Sequence, residues 1–159
     1  LVFTENELLK GYNTNFKLNP PLRSENDRLA LVEGVKNGTI DCISSHHTPQ
    51  NKDAKVCEFE YAGYGVIGLQ AAFGVLNGVG LYIDQILEAI CYKPKQIFQL
   101  ESKIEVGAKA DLTLFNLTTS YLLTKETLAS KSENSPYLGQ TLTGKVIATI
   151  QQDKLHINP

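Results

Sequence analysis

Apolar positions recur at helical spacing in the segment that follows residue 24. Ser24 is a favourable helix N-cap, and Asp27, three residues later, completes a capping-box spacing with the shorter acid. One apolar stripe then follows, formed by Leu29, Val32 and Val35. Asn37-Gly38 stops the pattern. The sequence therefore predicts a helix between Ser24 and Asn37.

The next segments alternate between strand-like and helix-like patterns. Residues 40–45 are short, partly β-branched and largely uncharged, which predicts a strand covered on both faces, as in a parallel sheet. A polar loop occupies residues 46–65. Helical patterns return at residues 68–76 and 84–92, and Pro94 can open a further short helical turn.

After about residue 99 the pattern changes to period two. Residues 111–117 (DLTLFNL) and 145–151 (KVIATIQ) alternate apolar and polar side chains, which predicts two half-buried strands. Gln152-Asp153 then predicts a turn into a last strand at residues 154–157. Helices around one buried strand, followed by consecutive strands, indicate two architectures, an α/β part and a β part.

Composition narrows the class of protein. The 159 residues suffice for one domain or for parts of two, and 42% hydrophobic with 20% charged residues is typical of a soluble globular protein. The net charge of -2, without a basic stripe, argues against nucleic acid or an anionic membrane as partner. No apolar run approaches the roughly 18 residues that span a bilayer.

Cysteine and methionine usage add two expectations. Three scattered cysteines, Cys42, Cys57 and Cys91, favour reduced thiols in a cytosol-like compartment over a disulfide framework. The sequence contains no methionine and begins at Leu1, so we expect it to be a piece of a longer protein.

His46 and His47 are the candidate chemistry, because they follow the predicted buried strand. Polar residues at the ends of parallel strands point into the crevice where α/β folds place their active sites. Adjacent residues point to opposite sides, so at most one should face a site. From local chemistry alone, an adjacent pair of histidines is more often a pair of surface or capped residues, and nothing pairs His46 with a second metal ligand at zinc-site spacing. Asn19, before two prolines, can be a turn residue or a binding residue.

Three longer runs carry a family resemblance. The run KLNPPLRSENDRLALVEGVKNGTIDCISSHHTPQ, with YGVIGLQ after it, resembles the last barrel strand and its flanks in dihydroorotases. The run PKQIFQLESKIEVGAKADLTLFNL resembles their passage into a small composite β-sandwich, and SPYLGQTLTGKVIATIQQDKLHI resembles the closing strands of that domain. The resemblance implies a (β/α)8 (TIM) barrel of the amidohydrolase superfamily, with its C-terminal part at residues 1–97 and a β-sandwich segment at 98–159.

The resemblance also implies roles for single residues. Asn19 matches the asparagine that binds the dihydroorotate ring, and Tyr64-Gly65 matches a Phe-Gly pair whose backbone faces the ligand. His46 stands where the family has an aspartate that both ligates metal and shuttles a proton. Gln50 stands where the family has a substrate-binding histidine. Two functional positions therefore depart from the family pattern.

The implied reaction is the reversible hydrolysis of the cyclic amide dihydroorotate to carbamoyl aspartate, in cytoplasmic pyrimidine synthesis. The parent family uses zinc, but its other ligands lie upstream of Leu1, so we expect these 159 residues to bind no metal by themselves, His46 being the one residue at a ligand position. A carboxylate can bind a metal through one oxygen and accept a proton from water through the other. An imidazole that binds a metal through one nitrogen has only its far nitrogen available, which points away from that water. We therefore expect a degenerate member with weak or no activity.

Two other functions stay open. The protein can be an active cyclic amidohydrolase, hydantoinase-like or allantoinase-like, with a rearranged metal site around His46. It can also be a non-catalytic scaffold for aspartate carbamoyltransferase. In the enzymatic cases the partner is a small cyclic amide, and a homo-oligomer is expected.

Overall fold

The first long helix begins where its capping box predicts. The computed structural model describes residues 1–100 and 103–158. Helix α1 spans Glu25–Lys36; the Ser24 hydroxyl accepts from the Asp27 amide at 3.3 Å, and the Ser24 amide donates to the Asp27 carboxylate at 3.2 Å. Val32 and Val35 are buried, whereas Leu29 is 51% exposed. The predicted stripe is therefore wrong at Leu29, which lies outside the core.

The strand predicted at residues 40–45 is not a regular strand. The segment runs to a single parallel bridge between His47 and Val66, in which the Thr48 amide donates to the Val66 carbonyl at 2.8 Å. The Ile43 amide donates instead to the carbonyl of Ala89, on a helical turn, at 2.9 Å. A ladder needs backbone partners along the strand. The Ile40 amide donates to the Gly34 carbonyl at 2.8 Å, so among the described residues the partners of this segment are single carbonyls of helical residues and do not form a ladder.

The other predicted helices are present but broken into short pieces. They are α2 (Ala72–Asn77), α3 (Ile83–Leu87), a π-helical turn (Glu88–Tyr92) and α4 (Lys93–Ile97), the last with the predicted proline in its first turn. Three short 3₁₀ turns lie in the preceding loops, at Glu5–Lys10, Thr14–Phe16 and Lys52–Ala54. In the described part of the chain, no helix is long and apolar enough to cross a membrane.

The three predicted strands form one antiparallel sheet in the order β1-β2-β3. They span Asp111–Leu122, Thr141–Gln151 and Lys154–Ile157. Gln152 makes the predicted turn with a φ of 58°. Helix α2 packs on β2, and the Phe73 and Phe115 rings meet at 4.6 Å between centroids. The main core beneath them consists of Val32, Val35, Phe73, Leu76, Leu81, Ile86 and Ala89.

One end of the sheet has an apolar face and a polar face. Residues opposite each other in adjacent strands share a face, and so do residues two apart in one strand. The register therefore gathers six side chains on one side, here called the apolar sheet face: Leu112, Leu114, Ala148, Ile150, Leu155 and Ile157. Leu155 and Ile157 are 61% and 66% exposed, so this face is open at β3.

Candidate functional site

A cleft of about 430 Å³ brings together four of the residues singled out in the sequence. They are Asn19, His46, Tyr64 and Gly65. Three loops meet there: the segment around Asn19, where the bond to Pro20 is cis, the segment after the irregular residues 40–45, and the segment leading into Val66. The bridge between His47 and Val66 holds two of these loops side by side.

His46 sits at the cleft in an uncommon backbone conformation. Its φ is 47°, in the left-handed region that only a few per cent of non-glycine residues occupy. The conformation is held from both sides, because the His46 amide donates to the Ser44 hydroxyl at 3.2 Å and the Thr48 hydroxyl donates to the His46 carbonyl at 3.1 Å. Its side chain is largely exposed.

His47, its neighbour, has a structural role. Its Nδ1 accepts from the backbone amides of Gly68 and Leu69, each at 3.3 Å, just before α2. A nitrogen that accepts these bonds carries no proton, so the ring proton belongs on Nε2. His47 lines a separate cavity, and of the two histidines only His46 lines the cleft among the described residues.

Position 65 requires a glycine, both for its backbone conformation and because a side chain would have no space. Its φ is 110°, and a Cβ at this position would lie 2.5 Å from the Thr48 Cβ. Its amide donates to the Lys17 carbonyl at 2.9 Å, and the Lys17 ammonium lies 4.9 Å from the centre of the Tyr64 ring. A cation over an aromatic face is attracted to it. Lys17 therefore holds the Tyr64-Gly65 pair through both backbone and ring.

Gln50 lies beside the cleft and is used internally. Its Nε2 donates to the Tyr64 carbonyl at 2.8 Å. The Gln50 side-chain amide thus fixes the backbone of the Tyr64-Gly65 pair, and this N–H donor is not directed at the cleft. A direct contact of Gln50 with a substrate remains a prediction.

Lys55 is a buried cation that ties the outer loops together. Its Nζ donates to the carbonyls of Thr14 at 2.9 Å and Gly63 at 2.7 Å, while its own carbonyl accepts from the Thr14 hydroxyl at 2.7 Å. Burial, and then the nearby charge of Lys17, lower the pKa of the Lys55 ammonium. Through these bonds Lys55 holds together the segments that contain Thr14 and Gly63.

Two site residues come from the connection between β1 and β2, and sequence reasoning did not find them. Tyr137 lines the cleft with its ring 5.3 Å from that of Phe3, and burial raises the pKa of its phenol. Asn134 is only 4% exposed and bonds to both cleft loops. Both lie some 70 residues or more from the loops they serve, and no local motif signals such a contact.

The described residues do not form a metal site by themselves. Zinc takes three or four His, Cys, Asp or Glu ligands. Within residues 1–100 and 103–158 no three such side chains are grouped so that they could hold an ion. His46 at the cleft could serve as a ligand only together with groups outside these residues.

Comparison with known proteins finds curated relatives that are similar to nearly the whole of this chain. The chain is 42% identical over 158 residues to a dihydroorotase of Caldicellulosiruptor saccharolyticus and 39% identical over 156 residues to the dihydroorotase of Bacillus subtilis. These matches cover 96% and 94% of the chain. The chain is dihydroorotase-like. It corresponds to the C-terminal part of such proteins and spans 36% of the length of each of these two relatives. No family model matches it.

Solved structures show the same fold at lower sequence identity. The L-hydantoinase of Arthrobacter aurescens superposes with a TM-score of 0.83 at 24% identity, over 96% of this chain and 36% of that protein. A dihydroorotase of Campylobacter jejuni gives 0.70 at 16% identity, over 91% and 41%. These likenesses show that the chain has the fold of the corresponding part of these two structures.

Proposed function

We propose that the chain forms the substrate-ring side of a dihydroorotase-like cyclic amidohydrolase and that the complete protein hydrolyses dihydroorotate weakly or not at all. The observation that carries the proposal is the cleft, in which Asn19, His46 and the Tyr64-Gly65 pair meet although 45 positions separate the first from the third. Sequence identity near 40% with dihydroorotases supports the substrate class. In this proposal residues 1–97 end a barrel and residues 98–159 belong to a β-sandwich.

The chemistry of the cleft fits ring recognition. The Asn19 side chain can donate and accept at once, which matches the alternating N–H and C=O groups of a cyclic amide. Gly65, having no side chain, lets the backbone approach a ligand closely. A ring that enters the cleft would therefore be bound by amide-to-amide hydrogen bonds, each worth about 1 kcal/mol net.

The proton-transfer chemistry is where the protein is expected to fail. A carboxylate at position 46 would offer two oxygens, one for a metal and one for a proton. The His46 imidazole cannot bind a metal and move the proton of the same water at once. Losing a positioned general base lowers a rate by about two to four orders of magnitude. The metal-ligand set is incomplete within the described residues, so no catalytic step is assigned to this chain alone.

Calorimetry on the complete gene product tests the ligand class. We expect dihydroorotate and N-carbamoyl-aspartate to bind, and Asn19→Ala to weaken them about tenfold, the effect of one lost hydrogen bond at roughly 1.4 kcal/mol. Asn51→Ala is the matched control, because Asn51 caps a 3₁₀ turn and does not line the cleft. Binding of hydantoin or allantoin but not of dihydroorotate would show that the ligand is a different cyclic amide from the one proposed. Binding of aspartate carbamoyltransferase with no small ligand would favour a scaffold.

A further inference from the structure

Asn134 joins the β part of the chain to both loops of the cleft. Its Nδ2 donates to the carbonyls of Thr48 at 3.0 Å and Gly65 at 3.2 Å. Its Oδ1 accepts from the Gln50 amide at 3.1 Å, and its own backbone carbonyl accepts from the Ile67 amide at 2.9 Å. Three side-chain hydrogen bonds on one residue, at 4% exposure, leave little freedom for rearrangement.

The bonds fall on the positions that set the shape of the cleft. Thr48 and Gly65 lie on opposite sides of the bridge between the two loops, and both line the cleft. Gln50 in turn holds the Tyr64 carbonyl. The side-chain amide of Asn134 therefore fixes the spacing of the two loops. It also fixes the backbone of Gln50, whose side chain bonds to the Tyr64 carbonyl.

We propose that Asn134 is a positioning residue of the cleft, which acts on the ligand through Gly65 and Gln50 without touching it. The identity of that ligand rests on the function proposed above. The role follows from chemistry that only a carboxamide supplies here, since two carbonyls need a donor while one amide needs an acceptor.

Asn134→Asp is the sharpest test because it keeps the shape of the side chain and replaces its two N–H donors by a carboxylate oxygen. The introduced carboxylate still accepts from the Gln50 amide but faces two carbonyl oxygens. We expect hydrogen exchange at the Thr48 and Gly65 amides to accelerate at least about tenfold and the ligand to bind about 10- to 100-fold more weakly, from the cost of unpaired buried polar groups. Lowering the pH should shrink the loss of protection, because the protonated carboxyl regains one donor.

Asn77→Asp is the matched control. Asn77 is likewise a carboxamide that joins the helical part to the sheet, donating to the carbonyls of Leu117 at 3.1 Å and Thr143 at 2.9 Å. Neither acceptor lines the cleft. Its replacement should lower the melting temperature without changing ligand affinity or exchange at Thr48 and Gly65.

The experiment uses the complete gene product, with dihydroorotate as the calorimetric probe and amide exchange read by NMR. Unchanged exchange at Thr48 and Gly65 in Asn134→Asp would overturn the inference, and so would an equal loss of affinity in Asn77→Asp. If the native protein binds no dihydroorotate, the proposed function fails separately. The exchange data then decide by themselves whether Asn134 sets the geometry of the loops.

Discussion

Restoring the carboxylate at position 46 and the imidazole at position 50 should raise dihydroorotate hydrolysis by at least about 100-fold over the native complete protein. The perturbation is the double variant His46→Asp with Gln50→His. An aspartate returns a group with two oxygens, and a histidine returns a donor that can carry charge toward a substrate carboxylate. A 100-fold gain corresponds to about 2.7 kcal/mol of transition-state stabilisation, the low end of the usual worth of a general base.

The structure indicates that the first substitution costs little. His46 has a φ of 47°, and aspartate tolerates the left-handed region because its short side chain bonds locally. Gln50→His, in contrast, removes the 2.8 Å bond to the Tyr64 carbonyl, a loss of about 1 kcal/mol. Gly65, the next residue, remains held by Lys17 and Asn134. Both substitutions are designed to act on the same bound substrate, so their effects on the rate should be coupled rather than additive.

The assay compares initial rates of dihydroorotate consumption for the native protein, both single variants and the double variant. His156→Asp is the control, because it makes the same chemical change on the exposed strand β3. Robust native turnover without any gain from His46→Asp would refute the reasoning and show that His46 itself has a working catalytic role. No turnover in any form, with tight binding to aspartate carbamoyltransferase, would favour the scaffold.

Three further predictions concern the cleft and the sheet. Gly65→Ala should abolish ligand binding and lower the melting temperature more than Gly80→Ala does, since both positions have positive φ but only at Gly65 would the added Cβ clash; thermal melts and calorimetry check this. Burial raises the pKa of the Tyr137 phenol in the folded protein, so above pH about 10 the phenol ionises first in the unfolded chain and the free energy of unfolding falls. Tyr137→Phe should make this fall smaller, as measured by denaturant titrations across that pH range. Leu155→Thr with Ile157→Thr should reduce self-association in sedimentation velocity without loss of β structure, as both side chains are exposed on the apolar sheet face.

Elements with strong local signals could be predicted from the sequence. The capping box at Ser24 acts within one helical turn, so the start of α1 follows from four residues alone. The apolar–polar alternation in the sequences of β1 and β2 is a local signal for strands, although the observed burial of β1 does not alternate. The turn at Gln152 lies between two strands that pair with each other. For the capping box and for the turn at Gln152, the partner that stabilises the pattern is close in sequence.

Elements that depend on distant partners could not be predicted in the same way. Residues 40–45 have a strand-like composition, but a strand also needs a ladder, and the isolated bridge found here, at His47, lies beyond the segment. Asn134 carries no motif, although it makes three bonds to the cleft loops. The resemblance to dihydroorotases singled out the residues expected to face the ligand. It did not reveal which residue holds their loops in place.

The apolar sheet face connects the fold to the expected behaviour of the protein in solution. A two-faced sheet is stable when one face is buried against another layer. Among the described residues, Leu114, Leu155 and Ile157 of this face stay exposed, because α2 packs against Phe115, which follows Leu114 in β1 and points to the other face. The outer edges of β1 and β3, on the sides away from β2, also have no strand partner among these residues. Open edges beside an apolar face recruit further strands. The 159 residues alone should therefore pack against a second copy, or against the remainder of a dihydroorotase-like fold, before the sheet and the cleft become stable.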